Sequence, residues 1–347
     1  MRKILLSFIL LVSPFNLAPG LGQAAEFYVA PLTGNDQNTG AKNAPFRTIQ
    51  RAMKAVDGIG GTVHLTAEEG FYREQILIQK GGTETQRLVI EGNDATINLG
   101  TDVTEGPWTK LGEGEYRLEK KAPRHVRHYV TSPLFINGLP ITADHPAGKG
   151  RPASHGGQLS QDAEDRFIVK FPRGLTPENS VVIMTSRDFQ AGVQCNSSSH
   201  IDIRNLNIAF VGNDAYNFHG HSVDVTLENI TALFNGDQGI SSHETCEVSV
   251  KGGEVAFNGS QSGGIVDIND TKTTYTDMVV HHNRNHGLTL VGAQHKLEGI
   301  ISYGHSLSNL PKASSTITIN HCQDLGVQPE TKTERDDVLK RFLALRP

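Results

Sequence analysis

Four stretches of this chain read as versions of one another: FVGNDAYNFHG (210–220), FNGDQGISSHE (234–244), FNGSQSGGIVDIND (257–270) and HNRNHGLTLVG (282–292). Aligning Ala215, Gly239, Gly264 and Gly287 gives successive spacings of 24, 25 and 23 residues. Such a period, with Asn/Gly turns and short β-branched runs, marks a solenoid in which each repeat is one coil. Neighbouring coils then stack with a rise of about 4.8 Å.

Working outward, the fold class is all-β, a single-stranded right-handed parallel β-helix with its clearest coils over 200–320. Leucine-rich repeats have a comparable length, but they need a Leu lattice and an Asn ladder, and the repeats are read as lacking both. Strand residues Ile201, Ile203, Leu206, Ile208, Val223, Val225, Leu227, Ile230, Val248 and Val250 should alternate into the core. The coil corners account for the composition, since the 36 Gly and the many Asn of the 347 residues suit positive φ and Asx bonds. From 101 to about 190 the pattern changes. GEYRLE, PLFINGLPI, DRFIVKF and SVVIMTS read as a small antiparallel β insertion within the same domain. The final TKTERDDVLKRFLALRP predicts an amphipathic helix with Val338, Phe342 and Leu345 apolar, either capping the coil end or attached to it.

Upstream, FRTIQRAMKAV (46–56) places Phe46, Ile49, Met53 and Val56 on one helical face, and Gly58, Gly60 and Gly61 stop it. The passage YVAPLTGNDQNTGAKNAPFRTIQRAMKAV, followed by GGTVHLTAEEGFYREQILI, resembles the N-terminal helical cap and first coil of secreted right-handed parallel β-helix proteins of the pectate-lyase-like type. Many polysaccharide lyases and epimerases and some glycosidases share that opening. PLFINGLPITADHPAG resembles a hairpin that flanks the substrate groove in larger carbohydrate-active members.

The start of the chain reads as a secretory signal peptide over 1–25: Arg2 and Lys3, an apolar stretch Ile4–Val12, then the small residues Gly22, Ala24 and Ala25. A single domain over 26–347, located outside the cell or in the periplasm, is therefore expected, with no membrane span and as a monomer. Losing the two cations Arg2 and Lys3 takes the formal net charge from -5 to -7. No basic run is present, which excludes nucleic-acid binding through clustered Lys and Arg. Cys195, Cys246 and Cys322 are odd in number, show no zinc spacing, and are expected to be free and buried.

Nine of the 15 His residues fall between His200 and His305. In YNFHGH, His219 and His221 should share one face. In GISSHET, Ser241, His243 and Thr245 should lie opposite Ile240 and Ser242, and the 24-residue offset stacks His219 on His243. The next coil has two registers: Gly264 against Gly239 turns Asp267 inward with Ser242, whereas Gly263 turns it outward beside His243. The outward register is preferred, because an unpaired buried carboxylate is costly. Asp270 would join the same patch. His281, His282 and His286 are placed on a solvated face, and Asp144-His145-Pro146 in the insertion loop.

QGISSHETC resembles the YGFDPHE segment of alginate C5-epimerases, with His243 and Glu244 at matching positions, Gln238 in place of the Tyr, and Ser241-Ser242 in place of Asp-Pro. The resemblance implies proton abstraction α to a carboxylate. An acidic, uronate-containing polysaccharide or oligosaccharide is the expected partner, with lyase or C5-epimerase chemistry. His243 or His219 would serve as base and Tyr216 or His221 as acid. Lys272 would neutralise the carboxylate, and Asp267, Asp270 and Glu244 would hold Ca²⁺ through clustered oxygens. A glycosidase would instead use two of Asp237, Glu244, Asp267 and Asp270 about 5–10 Å apart. A non-catalytic polysaccharide-binding β-helix is the remaining alternative.

Overall fold

The computed structural model describes residues 24–67, 70–121, 132–142, 157–185, 191–326 and 332–347. Residues 1–23 of the expected signal peptide and Asp144-His145-Pro146 lie outside them. Parallel strands one coil apart pair in long ladders, and the chain is a right-handed parallel β-helix. One sheet has six strands. From the N-terminal end they are Ile76–Ile78, Ala191–Asn196, Asp214–His219, Ile240–Ser242, Ile265–Asp267 and Leu288–Leu290. The other has 14, including the long strands Val223–Leu233 and Glu247–Ala256. Asn229 sits within the first of these at φ 53°, and this left-handed residue bends the strand so that the long sheet forms two sides of each coil.

Register follows the glycines. Tyr216 pairs with Ile240, and Ile240 with Ile265, which in turn pairs with Leu288, so Ala215, Gly239, Gly264 and Gly287 stack as aligned. Gly239 is required by close approach: a Cβ there would meet Val255 Cγ1 at 2.5 Å and Asn258 Nδ2 at 2.9 Å. Of the ten strand residues expected inside, nine are buried. Val223 is half-exposed, since it opens its strand at a corner.

The corner before the six-stranded sheet carries two ladders. Phe210, Phe234, Phe257 and His282 stack ring on ring, with Phe234 and Phe257 centred 4.9 Å apart. Beside them runs a buried Asn ladder, contrary to the reading that these coils have none. Asn235 donates its backbone N–H to Asn258 Oδ1 at 3.0 Å, and Asn258 donates its own to Asn283 Oδ1 at 3.0 Å. The ladder satisfies corner amides that would otherwise be buried without partners.

Helix α1 spans Ile49–Val56 and buries Ile49, Ala52, Met53 and Val56. It begins three residues later than the periodicity from Phe46 suggests. The Thr48 hydroxyl accepts the Arg51 N–H, and the Glu74 carboxylate takes the N–H groups of Ile49 and Gln50. Phe46 is buried just ahead of the cap.

The insertion forms two four-stranded antiparallel sheets with a core of their own, including Leu118, Leu134, Phe167 and Val182. It rests on the Phe ladder through Phe135, whose ring lies 5.9 Å from that of Phe234. Ser132 donates its N–H to Gly236 O at 2.7 Å. Helix α2 (Lys332–Ala344) packs against the same ladder through Val338 and Phe342. It is thus fastened to the side of the coils. Arg341 pairs with Glu254, which also accepts from His281 Nε2 at 2.6 Å, so His281 is a buried tie and not part of a solvated face.

Among the described residues no helix is long and apolar enough to cross a membrane. All three cysteines are free; Cys195 and Cys246 are buried and Cys322 is half-buried.

Candidate functional site

Along each strand of the six-stranded sheet, alternate residues leave the core. The outward row is Gln194, Asn217, Ser241, Val266 and Thr289, in register coil on coil. At the strand ends, where the chain turns toward the long sheet, this row continues into His219, which closes its strand, and His243, one residue past the end of its own. The two imidazoles stack with centres 4.1 Å apart and planes 12° apart.

Both rings are held by residues of the His243 coil. His243 Nε2 meets Ser241 Oγ at 2.6 Å, two residues back on the same face. His219 Nδ1 bonds Glu244 Oε2 at 3.2 Å, so a proton must sit on that nitrogen, because a carboxylate only accepts. Glu244 is itself at φ 49° and takes the Gly220 N–H at 2.8 Å. Burial raises the Glu244 pKa, but the Gly220 amide and His219 outweigh it and hold the carboxyl below its usual range. For His243 burial comes first and the His219 imidazole second; both lower its pKa below 6.5. His243 is therefore neutral near pH 7. In the tautomer that donates Nε2–H to Ser241, Nδ1 keeps a free lone pair.

The other expected site residues divide. His221 is exposed one step further along the turn, its Nδ1 3.0 Å from Thr245 Oγ1. Asp270 is exposed on the next coil and donates its N–H to Glu244 O at 2.8 Å. Lys272 opens a strand of the long sheet, around the corner, and pairs with Glu247 at 2.7 Å.

Two expectations are corrected. Tyr216 is fully buried, and its hydroxyl donates to Leu206 O at 2.7 Å, so it cannot reach a surface ligand as the acid. Asp267 points inward opposite Ser242, at 0 % exposure. The cost that favoured the outward register is met by partners: Thr273 Oγ1 donates at 2.7 Å and Tyr275 OH at 3.0 Å. Desolvation raises its pKa to about 6.

A Ca²⁺ site built from Asp267, Asp270 and Glu244 therefore does not form, because Asp267 faces the interior. The donor atoms that do converge belong to His219, His243 and Glu244, within 4.8 Å of one another. Two nitrogens and one oxygen do not suit Ca²⁺, which prefers oxygen.

The sequence reading passed over Asp214 and Asn217. Asn217 Nδ2 donates to Asp214 Oδ2 at 2.5 Å, and Asp214 Oδ1 takes the Gln238 N–H at 3.1 Å. Strand parity with His219 was the available signal for Asn217; Asp214 had none.

A family model described as a protein of unknown function (DUF1565) matches residues 32–80, which include the helical cap and the start of the first coil. No curated protein matches the chain. Among solved structures it is similar to a complex of XylC with xylose, at 14% identity over 87% of this chain and 64% of that one, TM-score 0.43. It is also similar to a glycoside hydrolase, at 12% identity over 91% and 98%, TM-score 0.44. Pectate lyase Pel9A is a third, at 12% identity over 85% and 57%, TM-score 0.44. The chain thus spans less than two thirds of the XylC and Pel9A chains. None of these likenesses carries an activity over to it.

Proposed function

We propose that this is an exported, glycan-acting β-helix that cleaves a uronate-containing chain by β-elimination, with His243 as base. The observation that supports this most is the stacked pair: the His243 imidazole, its pKa lowered, beside a second imidazole paired to a carboxylate, on one outward wall. His243 Nδ1 takes the proton on C5, α to the carboxylate. The electron pair of that C–H bond becomes the C4=C5 double bond. The C4–O4 bond breaks with its electrons, and O4 takes a proton from His219 Nε2 when that ring is doubly protonated. Glu244 stabilises the charged His219 until that proton leaves, and afterwards keeps the Nδ1–H in place.

Elimination is preferred to epimerisation on geometric grounds. An epimerase removes a proton from one face of C5 and returns one to the opposite face, so its acid and base must flank the sugar. His219 and His243 share a wall, and Tyr216, the expected acid, is inside the core. A base and an acid side by side suit loss of the proton and the leaving oxygen from one face.

The test is to incubate the purified chain with alginate, pectate and glycosaminoglycans and follow the ultraviolet absorbance of unsaturated uronate ends. A rise with at least one of them, abolished in His243→Ala, is expected. Saturated products, or none from any of the three, would overturn the reading.

A further inference from the structure

Around the corner from the histidines, the outer face of the long sheet holds a trough of about 330 Å³. Its floor is a row of short hydroxyl side chains in register, Thr226, Ser249 and Thr274 on successive coils. The repeating pattern makes the depression: DVTLE (224–228), EVSVK (247–251) and KTTYT (272–276) set a small hydroxyl residue between longer polar neighbours. One coil further on, the floor position is Lys296, which closes one end. At the other end the floor position is Asp202, held by Arg87 at 2.9 Å.

On an exposed sheet face, cross-strand pairs take up polar groups where long charged neighbours meet. Here one flank does so, with Lys272 and Glu247 bonded at 2.7 Å. The floor does not: among the described residues the three hydroxyls bond no protein group. Hydroxyls spaced one coil apart, with an ammonium at the end, match a chain of linked polyols carrying a carboxylate. We infer that this trough is a second glycan-binding site, which holds an extended acidic oligosaccharide along the solenoid axis with a carboxylate over Lys296. The inference rests on the uronate reading for its ligand class, but on a different face and on none of the catalytic groups.

The experiment is isothermal titration of the full chain carrying His243→Ala with a galacturonate tetramer and with a neutral tetramer of the same linkage. Using that background separates binding from turnover, so a chain with no lyase activity still answers the question. The acidic tetramer should bind. Ser249→Trp, which fills the floor, should remove the trough's component of that binding and leave only what the histidine wall holds, and Lys296→Glu should weaken the trough component roughly ten-fold or more. The neutral tetramer should bind more weakly and be unaffected by Lys296→Glu. Lys54→Glu on α1 is the charge control, and the unfolding midpoint of Ser249→Trp checks its fold. An isotherm for the acidic tetramer that neither trough substitution changes, or no binding of that tetramer, would overturn the inference.

Discussion

His219 and His243 lie face to face at 4.1 Å although 24 residues separate them in the chain. One coil of the solenoid brings them together, and the rise between coils sets their spacing. Because the backbone and not the side chains fixes the pair, His243→Ala should leave the fold intact. It should lower turnover about 100-fold or more, the usual contribution of a positioned base. Steady-state rates and the thermal unfolding midpoint, taken together, check this; a lost midpoint would reassign His243 to structure.

The acid limb of the rate profile should report the same ring. Burial and His219 both lower the His243 pKa, so the acid limb of the activity should rise with pH through a midpoint below 6.5. In His219→Ala both causes weaken, and the midpoint of the residual activity should move upward. An unmoved limb would mean that another group sets it.

The solenoid was legible because its signal is repetitive, although the preferred match of Gly263 to Gly239 set the third strand one residue off the register in which Ile240 pairs with Ile265. The helix at 49–56 and the insertion were legible for a similar reason, since each has a strong local period. Tyr216 could have been placed inside by parity, for it is three residues from the outward His219. Asp267 could not, because its inward position depends on Thr273 and Tyr275, which lie on the following strand and answer the cost of burial. The Asn ladder was overlooked since Asn235, Asn258 and Asn283 also fit the ordinary role of Asn at turns. The side attachment of α2 needed Glu254, far from it in sequence.

Asn258 is the middle rung of that ladder. It donates to Ala232 O and Asn283 Oδ1 and accepts both the N–H and the amide of Asn235. Asn258→Ala leaves several buried groups without partners and should destabilise the chain by roughly 3 kcal/mol. Chemical denaturation measures it; a loss below 1 kcal/mol, about that of one net hydrogen bond, would mean that water replaces the rung.

Glu254 ties α2 to the coils. Burial raises its pKa, but His281 and Arg341 overcome this and bring it from 4.5 down to about 2. A depressed carboxylate contributes stability that is complete above its unfolded value and lost as pH falls through the folded one. Folding should therefore lose about 3 kcal/mol between pH 4.5 and 2 from this group. In Arg341→Ala that slope should shrink, and α2 should exchange its amide hydrogens faster. An unchanged acid slope would remove Glu254 from the account.

Asp267 acts in the opposite direction. Desolvation lifts its pKa from 3.8 to about 6, against the hydrogen bonds of Thr273 and Tyr275. The folded state then holds a proton that the unfolded chain has already released. Its stabilising effect is whole below pH 3.8 and is lost as pH rises through about 6. The loss should come to about 3 kcal/mol, an order-of-magnitude figure from the same linkage. Asn has the shape of the protonated acid without the proton to lose. Asp267→Asn should therefore match the wild type near pH 4 and be the more stable protein at pH 8. Denaturation curves at the two pH values decide it. An Asn variant weaker at pH 8 would show that the buried carboxylate is ionised and stabilised there by its hydroxyl partners.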